Sequence, residues 1–139
     1  SNSMAIVVLL LLWFLYAATF NFSLCKGDTN VLCSEKEKRS LLSFKQGVRD
    51  RSYKLLSWSP RQDCCEWLGV RCNNVSGRVI ELHLGAFKLG GKIPPSLLEL
   101  ESLTYLDLSR SDFGGASIPS FFGSMPRLRY LNLSAGGFG

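Results

Sequence analysis

The chain has 139 residues, 16 of them basic and 11 acidic, for a net charge of +5; 46% are hydrophobic and 19% charged. That length suits one modest domain, and that balance excludes a disordered or low-complexity chain. The basic excess concentrates between Glu35 and Lys54, where seven basic residues face three acidic ones. It lacks the interleaved aromatic stacking surface that nucleic-acid binding needs, so a solvated helix face and no nucleic-acid partner are expected. Weak attraction to an anionic wall polysaccharide is the remaining reading of the charge.

In chain order, Ala5 to Ala18 (AIVVLLLLWFLYAA) runs fourteen residues without a polar side chain. A bilayer span needs about 20, so this run predicts the core of a signal peptide spanning residues 1–25. Small residues at Ser23 and Cys25 place the expected cleavage after Cys25. No basic residue precedes the core, and the chain opens on Ser1, so either Met4 is the start or residues lie upstream.

Five cysteines follow the core: Cys25, Cys33, Cys64, Cys65 and Cys72. Loss of Cys25 with the signal peptide leaves an even four in an oxidising compartment, which predicts two disulfides. Adjacent Cys64 and Cys65 cannot readily turn both thiolates to one ion, and no C-x-x-C is present, so neither a metal site nor a redox pair is expected. A vicinal bond is strained. Two schemes therefore survive: Cys33–Cys64 with Cys65–Cys72, or the crossed pairing.

Between Cys33 and Cys72 the residues predict a small capping unit, assigned to residues 26–77. Ser34-Glu35-Lys36-Glu37 reads as a capping box that opens a helix. Leu41, Phe44 and Val48 continue it at helical spacing, with Leu42 and Leu55 beside the stripe. Gly47 and the polar Arg49 to Ser52 mark its end. Trp58 and Trp67 are expected to pack beside the disulfides.

Beyond Arg78 the sequence repeats. Leu82-His83-Leu84, Leu106-Asp107-Leu108 and Leu131-Asn132-Leu133 share one pattern, spaced 24 and then 25 residues, each preceded by Val79, Leu103 or Leu128. An L-x-x-L-x-L core at this period is the leucine-rich-repeat pattern, each unit opening with a short strand. The second half repeats too: Gly91-Lys92-Ile93-Pro94 returns as Gly115-Ala116-Ser117-Ile118-Pro119 with one inserted residue. Leu97 and Leu100, then Phe121 and Met125, are the expected inward residues of the convex side, which proline limits to 3₁₀ or extended backbone.

The order of a signal peptide, Cys33, a helix, Trp58, C-C-x-W-x-G-V-x-C and then L-x-x-L-x-L-x-x-x-x-L-x-G-x-I-P units resembles plant extracellular leucine-rich-repeat proteins. Cys64-Cys65, "IELHL" and "IPSFFGSMPRLRYLNLS" are most similar to receptor-like proteins of the type that perceive fungal ethylene-inducing xylanase. Polygalacturonase-inhibiting proteins share the cap. The resemblance implies a right-handed α/β solenoid behind a disulfide-stapled N-terminal helical cap, with Cys33 paired to Cys64 and Cys65 to Cys72. It departs from the family at the usual ladder asparagine, replaced here by Phe87, Ser111 and Gly136, which implies looser turns. Residues 78–139 make two complete repeats and one truncated, so the expectation is an N-terminal fragment whose last strands expose apolar surface.

Outward strand residues are the default binding face of a solenoid. The candidates for a protein or peptide ligand are Glu81, His83, Tyr105, Asp107, Arg110, Arg129 and Tyr130, with Asn132 beside them. Sequons stand at Asn21, Asn74 and Asn132. Asn21 leaves with the signal peptide, and Asn74 lies in a polar loop. A glycan on Asn132 would cover part of the face. No phosphate-binding glycine loop, G-x-S-x-G or H-E-x-x-H occurs, and the single histidine occupies a surface position of the repeat. Neither enzyme activity nor a cofactor is expected. The resemblance implies the ligand-sensing part of a plasma-membrane receptor-like protein in defence, anchored by a C-terminal segment beyond Gly139 and signalling through a co-receptor or adaptor kinase. The alternatives are a secreted inhibitor of microbial wall-degrading enzymes and a truncated decoy.

Overall fold

The computed structural model of the chain describes residues 3–14 and 32–139. Residues 3–14 form an exposed apolar helix, α1. None of the described helices is long and apolar enough to cross a membrane. The expected cleavage point at Cys25 and the sequon at Asn21 lie outside the described residues.

The second unit, from Leu32 to Gly139, opens with helix α2, Glu35–Gly47. Ser34 caps it as expected, its hydroxyl accepting the Glu37 N–H at 3.2 Å. The other half of the capping box does not form. Glu37 is 3% exposed, and its Oε1 instead accepts the Val79 N–H at 3.2 Å. The carboxylate thus ties the cap helix to the first repeat. Leu41 and Phe44 line the buried face of α2, while Val48 has already left the helix. It begins strand β1, Val48–Asp50, which pairs antiparallel with β4, Leu89–Gly91.

A second sheet runs β2–β3–β5–β6. Strand β2, Val70–Cys72, lies antiparallel to β3, Val79–His83. Beyond it the repeat takes over: β5, Tyr105–Asp107, and β6, Tyr130–Asn132, follow in parallel, with Leu82, Leu106 and Leu131 in register. Backbone bonds recur at the same period. The Leu84 N–H donates to the Asp107 carbonyl and the Leu108 N–H to the Asn132 carbonyl, each at 2.9 Å; those of Ala86 and Arg110 reach Ser109 and Ser134, each at 3.0 Å. Ala86, Arg110 and Ala135 all take left-handed φ, at 63°, 53° and 52°, so each turn closes with one backbone conformation.

The opposite side is built from two 3₁₀ helices, Pro95–Glu99 and Ser120–Ser124, as the prolines require. The Ser40 hydroxyl of α2 donates to the Ser96 carbonyl, so the cap helix packs on the first of these as another convex element. Between the two sides Leu82, Leu84, Leu97, Leu106 and Leu108 are fully buried, each stabilising the unit by about 2 kcal/mol. Leu131 on β6, at the edge of the sheet, is 39% exposed.

The second convex segment corrects the expected phase. Phe122, 8% exposed, takes the place of Leu97 in the core, and Phe121 is only half-buried against it. Counted from its proline, Phe122 matches Leu97; the extra residue before Pro119 concealed that correspondence. The same insertion pushes Ile118 out to 56% exposure, whereas Ile93 sits at 8%.

The disulfides join Cys33 to Cys64 and Cys65 to Cys72, with Cα atoms 5.6 and 5.5 Å apart. Cys33, Asp63, Cys64 and Cys65 bring possible metal-ligand atoms within 4.8 Å of one another. The sulfurs are all committed to disulfides, however, and Asp63 Oδ1 accepts the N–H groups of Cys33 and Cys65 at 2.9 and 3.2 Å. Trp58 and Trp67 are buried and stacked, centroids 5.4 Å apart, and the Trp58 indole N–H donates to the Leu68 carbonyl at 2.9 Å.

Candidate ligand-binding face

Strand alternation turns Leu82, Leu106 and Leu131 to one side of the sheet and their neighbours to the other. Register then sets two outward rows: Glu81, Tyr105 and Tyr130, and His83, Asp107 and Asn132. The aromatic members stack. His83 lies 4.3 Å from Tyr105 between ring centroids, and Tyr105 lies 4.2 Å from Tyr130 with the rings 2° from parallel. The ladder is anchored at its cap end. Glu81 Oε1 meets His83 Nε2 at 2.8 Å and Glu81 Oε2 meets Arg71 Nη1 at 2.9 Å.

Partial burial, joined by the neighbouring Tyr130 hydroxyl and the charges of Asp107 and Glu81, holds the Tyr105 phenol above its ordinary value. It stays neutral and keeps its hydroxyl as a donor. Arg71 belongs to this face and escaped the sequence reading, because "VRC" gives too short a run to announce a strand. Pairing of β2 with β3 places Arg71 opposite Glu81.

The remaining candidates are placed differently. Asp107 Oδ1 accepts the Ser109 N–H at 2.9 Å, and Asn132 Oδ1 accepts the Ser134 N–H at 3.0 Å, so both side chains close the turn after their strand. Gly85 makes room for the first: a Cβ there would stand 2.7 Å from Asp107 Oδ2. Arg129 is exposed just ahead of β6, its N–H donating to the Thr104 carbonyl at 2.9 Å. Arg110 lies past the end of β5, where alternation no longer applies, and lines a cleft with Arg49, Arg51 and Lys88 instead of the strand face. Asn74 is exposed in the turn between β2 and β3, and Asn132 is half-buried.

Comparison with known proteins matches this architecture. The family described as "Leucine rich repeat N-terminal domain" matches residues 34–73, the span of α2, the tryptophans and both disulfides. Receptor-like protein EIX2 of Solanum lycopersicum is 42% identical over 141 residues, covering 93% of this chain and 14% of that protein. The chain belongs to the plant leucine-rich-repeat receptor-like proteins. Among solved structures, the BIR2 ectodomain of Arabidopsis thaliana superposes with a TM-score of 0.67 at 34% identity, covering 75% of this chain and 56% of that one. The Arabidopsis receptor kinase HAESA, bound to the peptide hormone IDA and the co-receptor SERK1, does so with a TM-score of 0.66 at 32% identity, covering 74% of this chain and 17% of HAESA. The chain thus spans only a small part of its receptor-like relative's length.

Proposed function

We propose that the outward face of β2, β3, β5 and β6 contributes to recognition of a protein or peptide ligand outside the cell. In this reading the chain is the N-terminal ectodomain part of a cell-surface receptor for a microbial elicitor. Residues 1–25 act as a signal peptide, and the repeats continue as a right-handed solenoid. A membrane anchor and a co-receptor or adaptor kinase complete the receptor. A glycan on Asn74 would stand beside the face, and one on Asn132 would cover part of it.

The observation that carries the reading is the stacked ladder His83–Tyr105–Tyr130 on the Arg71–Glu81 pair. Core packing does not require these aromatics, since Tyr130 is 45% exposed. Large, rigid, half-buried rings are the side chains that most often carry binding energy. The peptide bound by HAESA supports a peptide-type ligand. A pull-down of fungal ethylene-inducing xylanase by the secreted chain tests the reading. Replacing both Tyr105 and Tyr130 by Ala is expected to weaken capture about 30-fold, the loss of a hot-spot pair. Undiminished capture would contradict it, and inhibition of a wall-degrading enzyme by the free chain would favour the inhibitor instead.

A further inference from the structure

A second charged feature lies away from the strand face. Arg49 in β1, Arg51 just past its end, Lys88 just before β4 and Arg110 after β5 converge on a cleft of about 330 Å³, floored by Leu89 and Gly90. None of the four makes an ion pair among the described residues. The nearby carboxylates are already engaged. Asp112 Oδ1 accepts the Gly114 N–H at 3.0 Å, and the two oxygens of Asp50 accept the N–H groups of Lys54 and Leu55 at 3.0 and 2.7 Å. Asp112 is the one acidic residue in the lining, so positive charge dominates the cleft.

The backbone shapes this site. A Cβ on Gly90 would stand 2.9 Å from the Asp112 carbonyl oxygen, so glycine lets the neighbouring turn approach the strand that floors the cleft. Lys88 and Arg110 both adopt left-handed φ, 55° and 53°, a conformation that disfavours side chains with a Cβ. The turns equivalent to that of Arg110 carry Ala86 and Ala135, so packing does not call for a long cation there.

We propose that this cleft binds an acidic peptide segment, receiving two or more of its Asp or Glu carboxylates. Arginine forks match carboxylates in bidentate geometry, and a concentration of unpaired cations raises the local concentration of such a segment. No aromatic lines the cleft, so it offers no platform for stacking a sugar ring. That favours a peptide over an acidic polysaccharide. The site is separate from the strand face, and its test does not depend on the ligand of that face.

Fluorescence anisotropy of labelled octaglutamate with the full chain tests the proposal. Saturable binding that weakens with salt is expected. Arg49→Gln with Arg110→Gln should lower the affinity about tenfold, at up to a few-fold per exposed pair. Arg61→Gln with Arg127→Gln, at exposed positions outside the cleft, should leave it unchanged. Arg51→Gln with Lys88→Gln provides a second cleft variant should the first fail to be secreted. Absent binding, equal losses in cleft and control variants, or stronger competition by tetragalacturonate than by unlabelled octaglutamate would each overturn the proposal.

Discussion

The cap and the repeats bury similar apolar side chains but hold them by different means. Between Cys33 and Cys72 the chain relies on long-range ties that occur once: two disulfides, the stacked Trp58 and Trp67, and Asp63 bonding across 30 residues to Cys33. Beyond Val79 each turn is held by the same backbone bonds and the same leucine positions as its neighbour. A repeat can therefore vary outside its leucines without losing its frame. The cap, which protects the end of the stack, has less freedom. The difference explains why the aromatic ladder and the basic cleft draw mainly on residues of the repeats and their junction with the cap.

Four perturbations would sharpen or break this contrast. Cys33→Ser with Cys64→Ser should cost about 3.7 kcal/mol and Cys65→Ser with Cys72→Ser about 2.5 kcal/mol, as chain entropy gives for loops of roughly 32 and 8 residues. Thermal unfolding under non-reducing conditions checks the order; a larger loss from the short loop would break the account of the cap.

Within the repeats, Leu106→Ala should cost about 3 kcal/mol and Leu131→Ala under about 1 kcal/mol, because the first is fully buried and the second lies at the sheet edge. Denaturant titration of the two variants measures the gap. Equal costs would mean that the register does not determine burial.

Ser111→Ala carries a smaller expectation. The Ser111 hydroxyl accepts the buried Leu89 N–H at 3.2 Å, so it serves one rung of the ladder that asparagine usually provides. Losing it should cost about 1 kcal/mol by orphaning that N–H, read by unfolding and by faster hydrogen exchange at Leu89.

Glu37 gives the smallest and most specific effect. Burial raises its carboxyl above the ordinary 4.5, while the Val79 N–H, Arg78 and Lys36 oppose the shift. A carboxyl raised in the folded state binds its proton more tightly folded than unfolded. Its contribution is therefore greatest at low pH and is lost as pH rises from about 4.5 through the folded value. Glu37→Gln keeps an acceptor for Val79 and should flatten the fall in Tm as pH rises above about 4.5. An unchanged slope would remove Glu37 from the cap–repeat junction.

Much of this could be read in the residues. The leucine period predicted β3, β5 and β6 in their register, and the prolines of the repeated I-P segments limited the convex side to 3₁₀ or extended backbone, of which the structure takes 3₁₀. Ser34 signalled the start of α2. The β1–β4 sheet escaped notice because three-residue strands carry no periodicity and two of the three residues of β4 are glycine. Phe122 was hidden by the inserted residue before Pro119. On the binding side, outward alternation located Glu81, His83, Tyr105 and Tyr130, but Arg71 lay in a strand too short to detect. The cleft was invisible because residues 49–51, 88 and 110 meet only through the sheet pairing.

The central claim is that recognition of the extracellular ligand rests on the Tyr105–Tyr130 ladder of the strand face. The most direct test compares xylanase binding by Tyr105→Ala with Tyr130→Ala against Leu56→Ser, a change at an exposed cap position, with folding of each variant verified by circular dichroism. The account predicts that the tyrosine variant loses binding and the cap variant keeps it. Retained binding by the tyrosine variant together with loss in the cap variant would contradict it.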